Sequence, residues 1–180
     1  MDYSQLTPTI LPQVLAAVRL INNPEVDPEV RQLNQEILFR EVGQAVYAKI
    51  YNMNAWDMEI GHTTGPGMDN RYYGLAKVTA AAVSNGNVGV DEYVADYINT
   101  TMAQAQQHAM TNANQSGKHP TVTREVVGET CKWCEGLAGT YTDPSPEVFQ
   151  RHGSCDCSIK TEGYRSRNGL LNNYVPTKNG

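Results

Sequence analysis

The chain is short of charge, short of basic residues and short of cysteine, and it has no long apolar run. Only 18% of its 180 residues are charged, against the usual ~25%. Much of the surface therefore falls to Asn, Gln, Thr, Ser and Gly, a composition suited to a component of an assembly. Lys and Arg number 14 against 19 Asp and Glu, for a net charge of -5. A chain this acidic does not hold polyanions by its overall field, so any nucleic-acid contact must be local. No window approaches the ~20 uninterrupted apolar residues of a membrane span. The N-terminal segment starts acidic at Asp2 and lacks a basic n-region and a small-residue cleavage site. The expectation is a protein made and kept in the cytosol. The 4 cysteines then read as metal ligands or reactive thiols rather than disulfides.

What is present reads first as helix. The length suits one domain, or one with a small appendage. Leu6, Ile10, Leu11, Val14, Leu15 and Val18 recur at helical spacing, with Pro8 and Pro12 in the first turns. Asn22-Asn23-Pro24 ends that helix. Asp27-Pro28-Glu29 starts a second, as a cap, a proline and a first-turn acid. Val30, Leu33, Ile37, Leu38, Val42, Ala45, Val46 and Ile50 carry its apolar stripe to about Tyr51. Residues 52–70 are polar-aromatic and broken by Gly61, Gly65, Pro66 and Gly67, which predicts a long surface loop. A third helix is expected over 71–84, with Leu75, Val78, Ala82 and Val83 inward. A fourth starts near Asp91, with Val94, Tyr97, Ile98, Thr101, Met102, Ala105 and Ala109 on one face.

At Pro120 the period changes. Residues 121–127 alternate and are rich in Val and Thr, which predicts a strand. Residues 1–119 hold 7 basic and 12 acidic side chains, and 120–180 hold 7 of each. The whole excess of acid is therefore in the helical part. The expected architecture is α+β, mostly α: a helical region over 1–119, a small β-containing metal module over 120–162 and an extended tail over 163–180.

All four cysteines fall in that second part. Cys131-Lys132-Trp133-Cys134 places two thiolates where they can hold one tetrahedral ion from a tight knuckle. His152-Gly153-Ser154-Cys155-Asp156-Cys157 brings further ligands from a distant segment. Between them, Ser145-Pro146-Glu147 starts a short helix with Val148 and Phe149 on its apolar side, and His152 stands at its end. Cys131, Cys134 and His152 take three positions around a zinc ion. Cys155 and Cys157 compete for the fourth, with the preference given to Cys157. Such a site is closed and structural, with no position left for a catalytic water. Its binding energy is folding energy for a segment with little core of its own.

The residues from Met102 to Ile159 resemble the C-terminal module of tailed-phage minor head proteins, the Mu F-like group. A helix rich in Ala, Gln and Asn ends at Asn112-Ala113-Asn114, and the strand Thr123-Arg124-Glu125-Val126-Val127 follows. Then come Cys-x-x-Cys, Leu137-Ala138-Gly139 and His-x-x-Cys-x-Cys, in that order. The resemblance covers about a third of the chain. It implies a virion protein, assembled in the host cytoplasm, few in copies per head, near the portal or inside the capsid, and sometimes delivered with the DNA. Its partners would be the portal, the major capsid or scaffold protein and packaged DNA. It would be oligomeric in the particle and free of membrane in the assembled head.

Other features carry less. His62, His108 and His119 read as solvated histidines. Residues 61–67 lack the lysine and the strand–helix context of a phosphate loop. No Ser/His/Asp order or paired-carboxylate pattern stands out, so no enzymatic role is expected. Arg151, Lys160, Arg165 and Arg167 form a small basic set beside the metal ligands. They keep a nucleic-acid-binding zinc module as the alternative function, ahead of a metal-dependent nuclease.

Overall fold

Two long helices set the frame, and everything else is placed against them. In a computed structural model of the chain, the described residues are 6–62, 70–85, 89–128, 131–152 and 157–162. The order is α1 (Leu6–Ile21), α2 (Pro28–Met58), α3 (Asn70–Ser84), α4 (Val90–Gln115), β1 (Thr121–Glu125), α5 (Lys132–Gly136), β2 (Gly139–Thr142), a 3-10 turn (Pro146–Phe149) and β3 (Ser158–Glu162). The class is α+β and mostly α, as the sequence predicts. No described helix is long and apolar enough to cross a membrane. The expected tail over 163–180 lies outside the described residues.

Helix α2 begins where the sequence says. The Asp27 carboxylate accepts from the amides of Glu29 and Val30 at 2.9 and 3.3 Å, satisfying two of the donors that a helix start leaves unpaired. Its far end differs from expectation. The helix runs through the segment expected to be a loop and stops only at Glu59, which takes a left-handed conformation at φ 56°. The Ile60 amide then reaches back to the Ala55 carbonyl at 2.9 Å, closing the last turn. Asn54 and Asp57 there are buried in the fold rather than spread over a surface. Asn54 Nδ2 donates to the Ile50 carbonyl at 2.8 Å, and Asn54 Oδ1 accepts from Thr161 of β3. Of the expected loop, residues 63–69 lie outside the described residues.

The expected α2 stripe holds at Val46 and Ile50, which are buried, and is rotated in the first half of the helix. Val30, Leu33 and Ile37 are exposed, while Gln35, Phe39, Gly43, Val46, Tyr47, Ile50 and Tyr51 face the core. Gln35 reaches in because its amide is answered: Nε2 donates to the Val18 carbonyl at 2.9 Å and to Asn22 Oδ1 at 3.1 Å. In α3, Val83 is buried as expected, but Val78 is exposed, and Ala76, Thr79 and Ala80 are buried beside Val83 instead. Small residues there let α3 come close to α2 and α4. The α4 face is as expected: Val94, Tyr97, Ile98, Thr101, Met102, Ala105 and Ala109 are all buried.

The three strands form an antiparallel sheet with β1 in the centre, in the order β2-β1-β3. Val122 pairs with Tyr141 on one side and Thr161 on the other, and Arg124 pairs with Ile159. Strand alternation turns Val122, Arg124, Ile159 and Thr161 to one buried face. Val122, Ile159, Val148 and Phe149 join the same apolar cluster as the helices. Gln106 of α4 ties the sheet down by donating to the Ile159 carbonyl at 3.0 Å. The sheet therefore has no separate core.

Candidate metal centre

The two connections of the sheet carry the ligands. Between β1 and β2, Cys131 caps the short helix α5: its sulfur accepts from the Cys134 amide at 3.3 Å. This turn presents both sulfurs on one side. Between β2 and β3, the 3-10 turn is anchored by the buried Val148 and Phe149 and releases the chain at Gln150, two residues before His152. The predicted short helix is thus a single tighter turn, started by Ser145 and Pro146 as expected.

The sulfurs and the imidazole meet. His152 Nε2 lies 3.2 Å from Cys131 Sγ and 3.0 Å from Cys134 Sγ. All three ligand atoms are within 4.8 Å of one another, a group that could hold a metal ion. A tetrahedral ion about 2.3 Å from sulfur and about 2.0 Å from nitrogen spaces such ligands by roughly 3.5 Å. An ion therefore requires each sulfur–imidazole pair to open by only a few tenths of an ångström.

The environment favours thiolate. The Cys131 thiol is pushed down to about 7, first by the backbone amide of Cys134, against a smaller opposing effect of burial and with help from the Cys134 and His152 side chains. Cys134 is buried, while Cys131 is exposed. Trp133 stands edge-on to the His152 ring, with centroids 5.7 Å apart, and limits how that ring can turn.

Cys131, Cys134 and His152 are the three residues in the group. Cys157 is buried and packs beside Cys134 with Val126, but it is not one of them. Cys155 lies outside the described residues. Residues two apart in an extended segment share a face, so strand alternation does not choose between them. Cys131, Cys134 and Cys157 form no disulfide with one another. Elsewhere, His108 is not simply solvated: its Nδ1 lies 2.7 Å from the Tyr47 hydroxyl. His119 lies 2.8 Å from an Asp143 carboxylate oxygen, and His62 is exposed.

Sequence reading missed Arg124. It is 1% exposed, the largest side chain buried so completely. Its Nη1 donates to the carbonyls of Val148 and Gln150 at 2.8 and 2.7 Å. Its Nη2 points to Cys134 Sγ at 3.8 Å, and its guanidinium lies 5.3 Å from the Trp133 ring centre. One side chain thus touches both connections that carry the candidate ligands and places positive charge behind one of the candidate sulfurs. The available signal was its place in the strand, two residues after the buried Val122 and on the same face.

Compared with protein families, curated proteins and solved structures, the chain matches none of them.

Proposed function

We propose that the chain is a structural protein of a bacteriophage virion, a minor head protein placed near the portal or inside the head, with a structural zinc site. The observation that carries this reading is the order Cys131-x-x-Cys134, Leu137-Ala138-Gly139, His152-x-x-Cys155-x-Cys157, whose first two cysteines and histidine converge on one point. Thiolate and imidazole donors suit zinc over the oxygen-seeking cations. Cys155 or Cys157 completes four ligands. A closed set of that kind polarises no water and acts as a staple. We assign no enzymatic activity. The portal, the major capsid or scaffold protein and packaged DNA are its partners, and it works as one of several copies in the particle.

Two measurements test the two halves of the reading. Metal analysis of the purified chain should return one zinc per molecule, with thiols that react with a dye only after chelation or unfolding. A folded chain free of metal ends the zinc assignment. In an infected lysate, the protein should sediment with head-sized particles. A chain that stays free while heads assemble ends the virion assignment.

A further inference from the structure

An apolar line runs along the outer side of α2. Val30, Leu33 and Ile37 are 47%, 57% and 51% exposed. They stand three and four residues apart, which puts them on one face of the helix at the spacing of a packing seam. Where the line meets α3 it opens into a groove of about 470 Å³, lined by Ile37, Arg40, Glu41, Gln44 and Tyr73. Arg40 is held in its wall, paired with Glu36 and 5.1 Å from the Tyr73 ring centre. Contiguous exposed apolar residues with a polar rim mark an interaction surface. The rim here is acidic: residues 25–41 hold five acids against two arginines. Two copies of this face would set acid against acid. Charge complementarity calls instead for an apolar segment that is basic.

We propose that the chain's own segment 163–180 docks along this line. The segment lies outside the described residues, but its sequence has the chemistry required. Leu170, Leu171, Tyr174 and Val175 supply apolar surface, and Arg165, Arg167 and Lys178 supply positive charge with no acid among them. Its length also fits. Strand β3, which precedes it, is fixed to α2 by Thr161 Oγ1, which donates to Asn54 Oδ1. Along the helix, Ile37 is about 26 Å from Asn54 and Val30 about 36 Å, at about 1.5 Å per residue. An extended chain gains about 3.3 Å per residue, so Leu170 reaches to about 30 Å from Thr161 and Val175 to about 46 Å. Leu170 and Leu171 thus reach the groove at Ile37, and Tyr174 and Val175 reach Leu33 and Val30. On the way Arg167 comes level with the exposed Glu41, each about 20 Å from the starting contact. The docking does not depend on the virion assignment, because a free protein and a head component would carry the same face and the same segment.

The test reads the rate of trypsin cleavage after Arg165 and Arg167 in the full chain, by mass spectrometry. Cleavage needs the segment undocked, so its rate follows the open population. Leu170→Gln with Leu171→Gln should speed it at least tenfold. So should Leu33→Gln, a substitution at an exposed position of α2 far away in sequence, with the helical circular dichroism unchanged. Val78→Gln is the control: Val78 is 67% exposed on α3, off the proposed line, and its loss should leave the rate as it was. The rates should not vary with protein concentration. A Leu33→Gln chain cut no faster than the native one overturns the proposal. Equal acceleration by Val78→Gln overturns it as well, since any loss of surface would then suffice. Protection that grows with protein concentration overturns it and gives the face to a second copy. Protection that appears only when DNA is added overturns it and gives the basic segment to nucleic acid.

Discussion

The helical body and the sheet module bury their polar groups in different ways. In the body the buried polar side chains, Asp57 apart, are neutral, and several of them bond to backbone carbonyls. Thr101 Oγ1 donates to the Tyr97 carbonyl at 2.8 Å, one helical turn back, as Asn54 does to Ile50. Each such bond contributes about 1 kcal/mol net. Most of the body's stability comes instead from apolar burial around Phe39, Ile50, Ile98 and Met110. In the module the largest buried side chain is a cation, Arg124, set among carbonyls and a sulfur. A buried charge is tolerated only when well bonded. The body would fold on hydrophobic grounds. The module has one side in the body's core and the other held by polar geometry around three residues that could hold a metal ion.

Substitution at the shared core tests that contrast most severely. Phe39 is fully buried and meets Tyr97 edge to face, with centroids 5.2 Å apart. Phe39→Ala should cost about 3–5 kcal/mol. Circular dichroism and the fluorescence of Trp133, read in a Trp56→Phe background, should report one urea transition. Two separate transitions would mean that body and module fold independently, despite the continuous cluster.

Arg124→Met asks the opposite question. It should weaken metal binding roughly 10–100-fold, the usual effect of losing a group that orients a ligand. The helical circular dichroism of the body should persist. Arg124→Lys should recover little, because an ammonium cannot reach two carbonyls and a sulfur with one planar fork. Competition with a chromogenic chelator measures both. An unchanged affinity would make Arg124 a packing residue only.

Asp27→Ala should cost about 0.5–2 kcal/mol by uncapping α2. Metal affinity should not move, since the cap lies in the body. A coupled loss of affinity would erase the distinction between the regions.

The smallest effect is local to the module. In metal-free protein, Cys131 should be alkylated half-maximally near pH 7, and near the ordinary thiol value of 9.0 in urea. Folding depresses this group, so its contribution to stability is fully present above the unfolded value. That contribution is lost as pH falls through about 7. Peptide mapping of the alkylated chain reads the result. Equal profiles in folded and unfolded protein would remove the amide-to-sulfur bond from the account.

How much of this could be read from the sequence follows the same division. The α2 start was legible because a cap has a local signature, Asp27-Pro28-Glu29. The α4 face was legible because its apolar residues keep one period. The orientation of α2 was not, because apolar residues surround that helix and tertiary packing selects among them. Leu33 and Ile37 lost to Gln35 once Val18 and Asn22 could answer its amide. The continuation to Met58 was hidden for the same reason, since Asn54 reads as a loop residue until Thr161 arrives from β3, 107 positions later. That Cys131, Cys134 and His152 come together was legible from spacing alone. Arg124 was not, because a buried arginine is defined by partners that spacing does not reveal.

The central place of β1 has a consequence for chain topology. The ligand-bearing segments are the two links that carry the chain from β1 to β2 and from β2 to β3. An ion joining Cys131 and Cys134 to His152 therefore fastens one link to the other across 21 and 18 positions. By loop-closure entropy, a crosslink over that span stabilises the folded state by about 3 kcal/mol. It acts on the unfolded chain, as a disulfide would, but it is set by metal supply rather than by redox potential. An ion held there would lock the two links together by bonds that a chelator opens and a reductant leaves intact.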